Sequence, residues 1–215
     1  MKKQLLIPKA IGAFAGMFFL AIFTVSAFAK MAEPRKVSYG GYGDKKPDFV
    51  HDTAHDLRTV KVKEYALDIP KHLYACSGLN DEASAQYEDT VNELYIIVID
   101  ESKADFVNVM KENKKYKEKL SVAENYRNVE MRSLKKSIKI KGKRIERRET
   151  IHNLDAQIEE VNAKARGIEE TIAYKFAFIE GPENMYYVTI WTLSTSEQIN
   201  HAEMEGMINS FRVVK

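Results

Sequence analysis

The sequence predicts an α+β domain in which an antiparallel β-sheet is sandwiched between helices, and three observations carry that expectation. From Leu154 to Trp191 short runs of alternating apolar residues follow one another with brief connections, the pattern of a meander. Leu94 to Ile99 (LYIIVI) is apolar at every position and short, so it reads as a central strand covered on both faces. Two serine-led starts, Ser102-Lys103-Ala104-Asp105 and Ser121-Val122-Ala123-Glu124, stand in front of apolar residues at helical spacing.

Before the domain come two segments of another kind. Lys2, Lys3 and Lys9, an apolar stretch from Ile11 to Val25, and Ala27-Phe28-Ala29 have the order of a secretory signal peptide, with cleavage expected after Ala29. The alternative is an uncleaved anchor, since Ala10 to Ala29 is just long enough to cross a hydrocarbon core of ~30 Å. Cleavage makes the protein exported, periplasmic or extracellular. Residues 30–59 show no sustained apolar periodicity, and Pro34, Gly40, Gly41, Gly43 and Pro47 mark them as a linker. Gly41-Tyr42-Gly43 is not a phosphate loop, because no apolar strand precedes it and the glycine spacing is incomplete.

Residues 60–215 are then one domain. Val60 to Pro70 sets Tyr65, Leu67 and Ile69 against Glu64, Ala66 and Asp68, a half-buried strand, and Leu73 to Cys76 is expected to pair back on it. After a polar connection comes the Leu94 strand, then one broken helix or two from Lys103 to about Lys136. Leu154, Ala156 and Ile158 alternate, and Val161, Ala163 and Ala165 resume one residue out of step, so a bulge is expected at Glu159-Glu160. Tyr174, Phe176 and Phe178, the turn Glu180 to Asn184, and Tyr186, Val188 and Ile190 continue the meander. Ser194 with Glu197 is expected to cap a last helix bearing Met204, Met207, Ile208 and Phe211.

The composition is that of a globular chain, with 45% hydrophobic and 30% charged residues, which excludes disorder along most of it. The one cysteine, Cys76, excludes an internal disulfide and any cysteine-based metal cluster. His51 and His55 have a spacing that can hold a metal, but the linker supplies no third ligand, so no metal site is predicted and no cofactor is implied. His72, His152 and His201 have no partner that the sequence can name. There is no G-x-S-x-G, H-E-x-x-H, Walker or C-x-x-C motif. The carboxylate pairs Asp100-Glu101, Glu159-Glu160 and Glu169-Glu170 read as solvated strand edges, because neighbours in a strand face opposite ways. Cys76 reads as a small buried residue, and the aromatic set that includes Trp191 reads as core rather than cleft.

Charge is the strongest anomaly. The formal total is +2, yet Lys111 to Arg148 holds 15 basic and 5 acidic residues, and Arg132 to Arg148 (RSLKKSIKIKGKRIERR) holds nine basic and one acidic. Export removes nucleic acid as the usual partner, and no RNA or DNA motif accompanies the run. Two readings stand. Lys135, Lys136, Lys139, Lys141, Lys143, Arg144, Arg147 and Arg148 form a contact surface for an envelope protein or an anionic membrane surface, or they lie on a solvated helix and loop neutralised by the protein's own acids.

Asn80 to Tyr87 (NDEASAQY), LYIIVIDESK, AYKFAFIE, MYYVTIWTLS and the closing MINSFR together resemble the order of elements in exported proteins of the PsbP-like fold, the family of the photosystem oxygen-evolving extrinsic protein. A Ran-binding nuclear import factor shares that fold. The resemblance covers about residues 60–215 and implies a central antiparallel sheet between helices, with the last helix closing the domain. It implies a binding or assembly module more readily than an enzyme, and it supplies no metal or GTPase-contacting residues to carry over. The second functional reading is a small-ligand binder or enzyme with a pocket on the sheet.

Overall fold

The computed structural model describes residues 56–214, residue 143 by its backbone alone. The signal segment, Gly41-Tyr42-Gly43, His51 and His55 lie outside the described residues. Among the described residues ten strands and three helices follow in the order β1 (Leu57–Val62), β2 (Tyr65–Pro70), β3 (Tyr74–Ala75), β4 (Ala85–Asp89), β5 (Leu94–Ser102), α1 (Lys103–Glu112), α2 (Val122–Leu134), β6 (Ile138–Ile151), β7 (Leu154–Ala165), β8 (Ile172–Glu180), β9 (Asn184–Leu193), α3 (Glu197–Asn209) and β10 (Arg212–Val213).

Seven strands form one antiparallel sheet in the order β3-β4-β5-β9-β8-β7-β6, and β1, β2 and β10 form a second sheet of three. In β5 the alternation divides one apolar run between two cores. Tyr95, Ile97 and Ile99 pack with Phe106 and Met110 of α1 and Tyr126, Met131 and Leu134 of α2. Leu94, Ile96 and Val98 pack with Met204, Met207 and Ile208 of α3, Phe211, and Tyr65, Leu67 and Ile69 of β2. The α+β sandwich is therefore present, with one addition: the layer on the α3 side also contains the small sheet. Because both faces are covered, no strand position of LYIIVI needs to be polar. Trp191 is fully buried and stacks on Tyr95 at 5.3 Å between ring centroids, so the aromatic set is core.

The helix starts behave as their sequences dictate. Ser102 Oγ accepts from the Asp105 amide at 3.2 Å, and at Ser121 the capping box is complete, with Glu124 Oε2 accepting from the Ser121 amide at 2.9 Å. Two helices, not one, result. At α3 the expected cap is displaced: Ser196 is the N-cap and makes no side-chain capping bond, while Ser194 donates its amide to the Thr171 carbonyl at 2.9 Å.

Four further expectations are corrected. Strand β1 opens at Leu57, inside the expected linker, and forms a hairpin with β2 through a turn where Lys63 takes φ 47°. Tyr74 and Ala75 pair with β4, not with β2, because the chain after Pro70 leaves the small sheet for the edge of the large one. AQYED is itself a strand, β4, that its polar residues concealed. Most consequential is β6, where IKIKGKRIERRETI is a 14-residue edge strand in place of a solvated helix and loop.

The bulge also moves. Pairing of β7 with β8 runs without interruption through Glu159 and Glu160, and the register shift falls on β6 between Lys141 and Arg144, where Gly142 takes φ +72°. The apolar phase change in β7 has another cause. Ala156 and Ile158 face the α3 core, and farther along the strand Val161, Ala163 and Ala165 face the α1/α2 core. One straight strand serves two layers. At the β8–β9 turn Gly181 is required by space, since a Cβ there would meet the Asn184 carbonyl at 2.8 Å and the Tyr186 ring at 2.7 Å.

Candidate functional site

The eight basic residues singled out by the sequence do not lie on one face. Cross-strand partners share a face of a sheet, so the register assigns each side. Arg144 is opposite Val161 and Arg148 opposite Gln157, on the α1/α2 side. Arg147 is opposite Ile158, and Lys139 and Lys141 are opposite Lys164 and Asn162, on the α3 side. Lys135 caps the end of α2 and Lys136 follows it. The side chain of Lys143 is not among those described.

The three arginines are occupied. Arg144 grips Glu159 with two nitrogens, one contact being Nη2 to Oε2 at 2.6 Å, and reaches Glu146 at 2.9 Å. Glu159 has a fully buried side chain, so a carboxylate there demands a charged, forked donor, and the bond to Glu159 in turn pushes the Arg144 guanidinium up. Arg147 pairs with Glu149 and Glu160 and donates to Glu205 of α3 at 2.8 Å. Burial alone would raise Glu160, but the hydrogen bond from Arg147 and the charge of Lys175 outweigh it and hold the carboxyl below its ordinary value. Arg148 binds Asp155 through two bonds of 2.7 and 3.1 Å. Glu159 and Glu160 do face opposite ways, but they are internal ion-pair partners and not solvated edges.

The lysines differ. Lys135, Lys136, Lys139 and Lys141 are all exposed, and none has an ion-pair partner among the described residues. They fall within seven consecutive residues at the α2–β6 junction.

Beside this junction is a cavity of about 220 Å³ between the end of α1, the 113–121 connection and one face of α2. Asn125, Asn128, Val129, Arg132, Ser133 and Lys136 line it at helical spacing, and Met110, Lys115, Lys117 and Glu130 complete the wall. Met110 is buried, whereas Lys115, Lys117, Arg132 and Lys136 are exposed. Asn125 fixes the wall: its carbonyl accepts from the Lys117 amide at 2.9 Å, and its Nδ2 donates to the Lys117 and Ser121 carbonyls at 3.0 Å. Burial raises the Glu130 carboxyl to about 8, with the charges of Glu101 and Glu82 adding to the shift. Sequence reasoning missed this site. Its signal was the i, i+3, i+4 recurrence of polar and basic residues from Asn125 to Lys136.

The remaining candidates are structural. His72 bridges Asp89 at 2.7 Å and Glu203 at 3.0 Å, joining β4 to α3. His152 and Asn153 form the two-residue β6–β7 loop with φ 46° and 68°, as a type I′ turn requires, and His152 Nδ1 lies 2.9 Å from the Phe211 carbonyl. His201 is exposed on α3, and Cys76 is partly buried against the α1/α2 core. Asp100 pairs with Lys63 at 3.0 Å, while burial pushes Glu101 up. Glu169 and Glu170 are exposed. Among the described residues no helix is long and apolar enough to cross a membrane.

No family model matches the chain, and no curated protein matches it. Among solved structures it is similar to the PsbP protein (CyanoP) of the cyanobacterium Synechocystis sp. PCC 6803, at 10% identity and TM-score 0.46, covering 81% of this chain and 98% of that one. It is also similar to PA94, a protein of unknown function from Pseudomonas aeruginosa, at 14% identity and TM-score 0.35, covering 72% of this chain and 95% of that one.

Proposed function

We propose that this protein is an exported, non-enzymatic binding module whose contact surface is the lysine ridge at the α2–β6 junction, and that its partner is an acidic protein segment of the cell envelope. One observation supports the reading. In a single basic run Arg144, Arg147 and Arg148 are neutralised by the protein's own acids, while Lys135, Lys136, Lys139 and Lys141 stand exposed with no acidic partner among the described residues. Charges that are needed for the fold are paired, and charges that are left over are free to meet a partner.

A protein partner is favoured over a membrane by the placement of Lys139 and Lys141. They alternate along the outermost strand of the large sheet, whose outer edge pairs with no strand among the described residues. An extended acidic segment can follow such an edge. Lysines on an edge also discourage unwanted pairing, so the partner must supply compensating negative charge. The export half of the proposal rests on Ala27-Phe28-Ala29 and is tested by N-terminal sequencing, with Lys30 expected as the first residue.

The test of the ridge is a Lys135→Glu, Lys139→Glu, Lys141→Glu variant of the exported chain. It should melt with the parent but lose its in-cell crosslinks to acidic proteins and its binding to a poly-glutamate peptide, which in the parent should weaken with salt. Retained binding overturns the surface. Loss of binding to phosphatidylglycerol vesicles, with poly-glutamate never bound by the parent, replaces the protein partner with a membrane.

A further inference from the structure

We propose that the cavity between α1 and α2 is the binding site for a small amphiphilic organic anion, its apolar end seated on Met110 and Val129 and its carboxylate or phosphate head held at the mouth by Lys117, Arg132 and Lys136. Charge is the first ground. Four cations reach the cavity and one acid, Glu130, lies in its wall. Lys117, Arg132 and Lys136 have no ion-pair partner among the described residues, whereas nearby Lys111 is already paired with Glu118 at 3.3 Å. Like charges gathered at one opening raise the local potential, and an anion relieves it.

Glu130 does not undo this balance. Its carboxyl faces Glu101 of β5, Glu82 of the 76–84 connection and Tyr126 of its own helix, and burial keeps it protonated at neutral pH, where it adds a donor and no negative charge. The Ser133 Oγ is the second ground: it is buried in the same wall and has no hydrogen-bond partner among the described residues. Buried hydroxyls are rarely left unmatched.

The floor selects the kind of anion. A bare inorganic ion would leave the half-buried Val129 facing water above the buried Met110, while a short hydrocarbon tail would cover it. A cavity of about 220 Å³ has the liquid volume of roughly seven waters, which bounds the ligand to about the size of a six-carbon acid. The four bonds that Asn125 makes to the 117–121 backbone hold the mouth in shape, so little ordering is left for the ligand to impose.

The experiment follows the methyl signals of Met110 and Val129 by NMR while hexanoate, hexyl phosphate, hexanol and inorganic phosphate are titrated separately into the full chain. Both hexyl anions should shift these signals saturably, and hexanol and inorganic phosphate should bind at least roughly tenfold more weakly. An Arg132→Glu, Lys136→Glu variant should keep its melting temperature and lose hexanoate binding. Lys139→Glu with Lys141→Glu should bind hexanoate as the parent does, so failure of the ridge and failure of the cavity are separable. Hexanol binding as well as hexanoate would reduce the site to an apolar hole, inorganic phosphate binding as well would reduce it to bare charge, and no shift with any of the four would remove it.

Discussion

Lys175 Nζ lies 3.4 Å from Glu160 Oε1, directly across the β8–β7 pair, with only 3% of the lysine side chain exposed. A charge this deep persists because it is shared. Lys175 also pairs with Glu205 of α3, and Arg147 of β6 reaches both Glu160 and Glu205. Four elements thus meet in one network, which ties the edge strand to the closing helix. Burial would raise the Glu205 carboxyl, but the bond and charge of Lys175, then those of Arg147, hold it below its ordinary value.

Glu205→Gln should therefore cost more than a surface substitution. It leaves Lys175 buried with half of its compensation, and breaking one side of a buried ion pair commonly costs about 3 to 5 kcal/mol. Glu205 is partly exposed, so the lower end of that range is expected. Denaturant melts read the change, and a midpoint within error of the parent would show that the network contributes little.

Arg144→Gln should likewise destabilise, because Glu159 cannot reach water and would lose its forked donor. Lys141→Gln, three residues away on the same strand, should be within about ±0.5 kcal/mol of the parent. The pair of melts separates structural from spare charge in one basic run. Equal effects would dissolve that distinction and the ridge with it.

Particular residues show why the fold was largely legible and the site was not. LYIIVI, the aromatic meander and the capping box at Ser121 act locally, through periodicity and the bonds of a helix end, so the sequence displays them directly. Strand β6 has Ile138 and Ile140 in alternation, but from Arg144 on its inward positions are held largely by arginines matched to the acids of β7, and its apolar signal thins to Ile145 and Ile151. The same holds for β7, where Glu159 occupies a core position because an arginine from the next strand meets it. Pairing of that kind depends on register, and register is not written in either strand alone. The cavity depends on the packing of two helices and a connection, so its residues share a visible stripe only on α2.

His72 should make stability fall as solutions become alkaline. Burial alone would lower its imidazole, but the hydrogen bonds and charges of Glu203 and Asp89 outweigh it and raise it above the ordinary 6.5. A histidine raised on folding stabilises fully below its unfolded value, and this contribution is lost as pH rises through the folded one. Thermal melts of the parent should lose stability above about pH 6.5, and His72→Gln should flatten that limb. Parallel profiles for the two proteins would show that the Asp89–His72–Glu203 bridge is not charged.

Glu130 predicts a slope of its own, of the same sign but a different window. Burial raises its carboxyl from 4.5 to about 8, with Glu101 and Glu82 adding to the shift. Between those limits the folded protein holds a proton that the unfolded chain has released, so stability is greatest near the lower limit and declines until the folded carboxyl ionises. Glu130→Gln replaces the protonated acid with a neutral amide of similar shape and carries no such decline. The variant should match the parent near pH 4.5 and exceed it by a few kcal/mol near pH 8, with the gap widening steadily between. Glu101 is raised as well and titrates beside it, so Glu101→Gln should remove a further part of the slope. A constant gap from pH 5 to 8 would mean that Glu130 is ionised throughout, and anion binding in the adjoining cavity would then have to overcome a fixed negative charge.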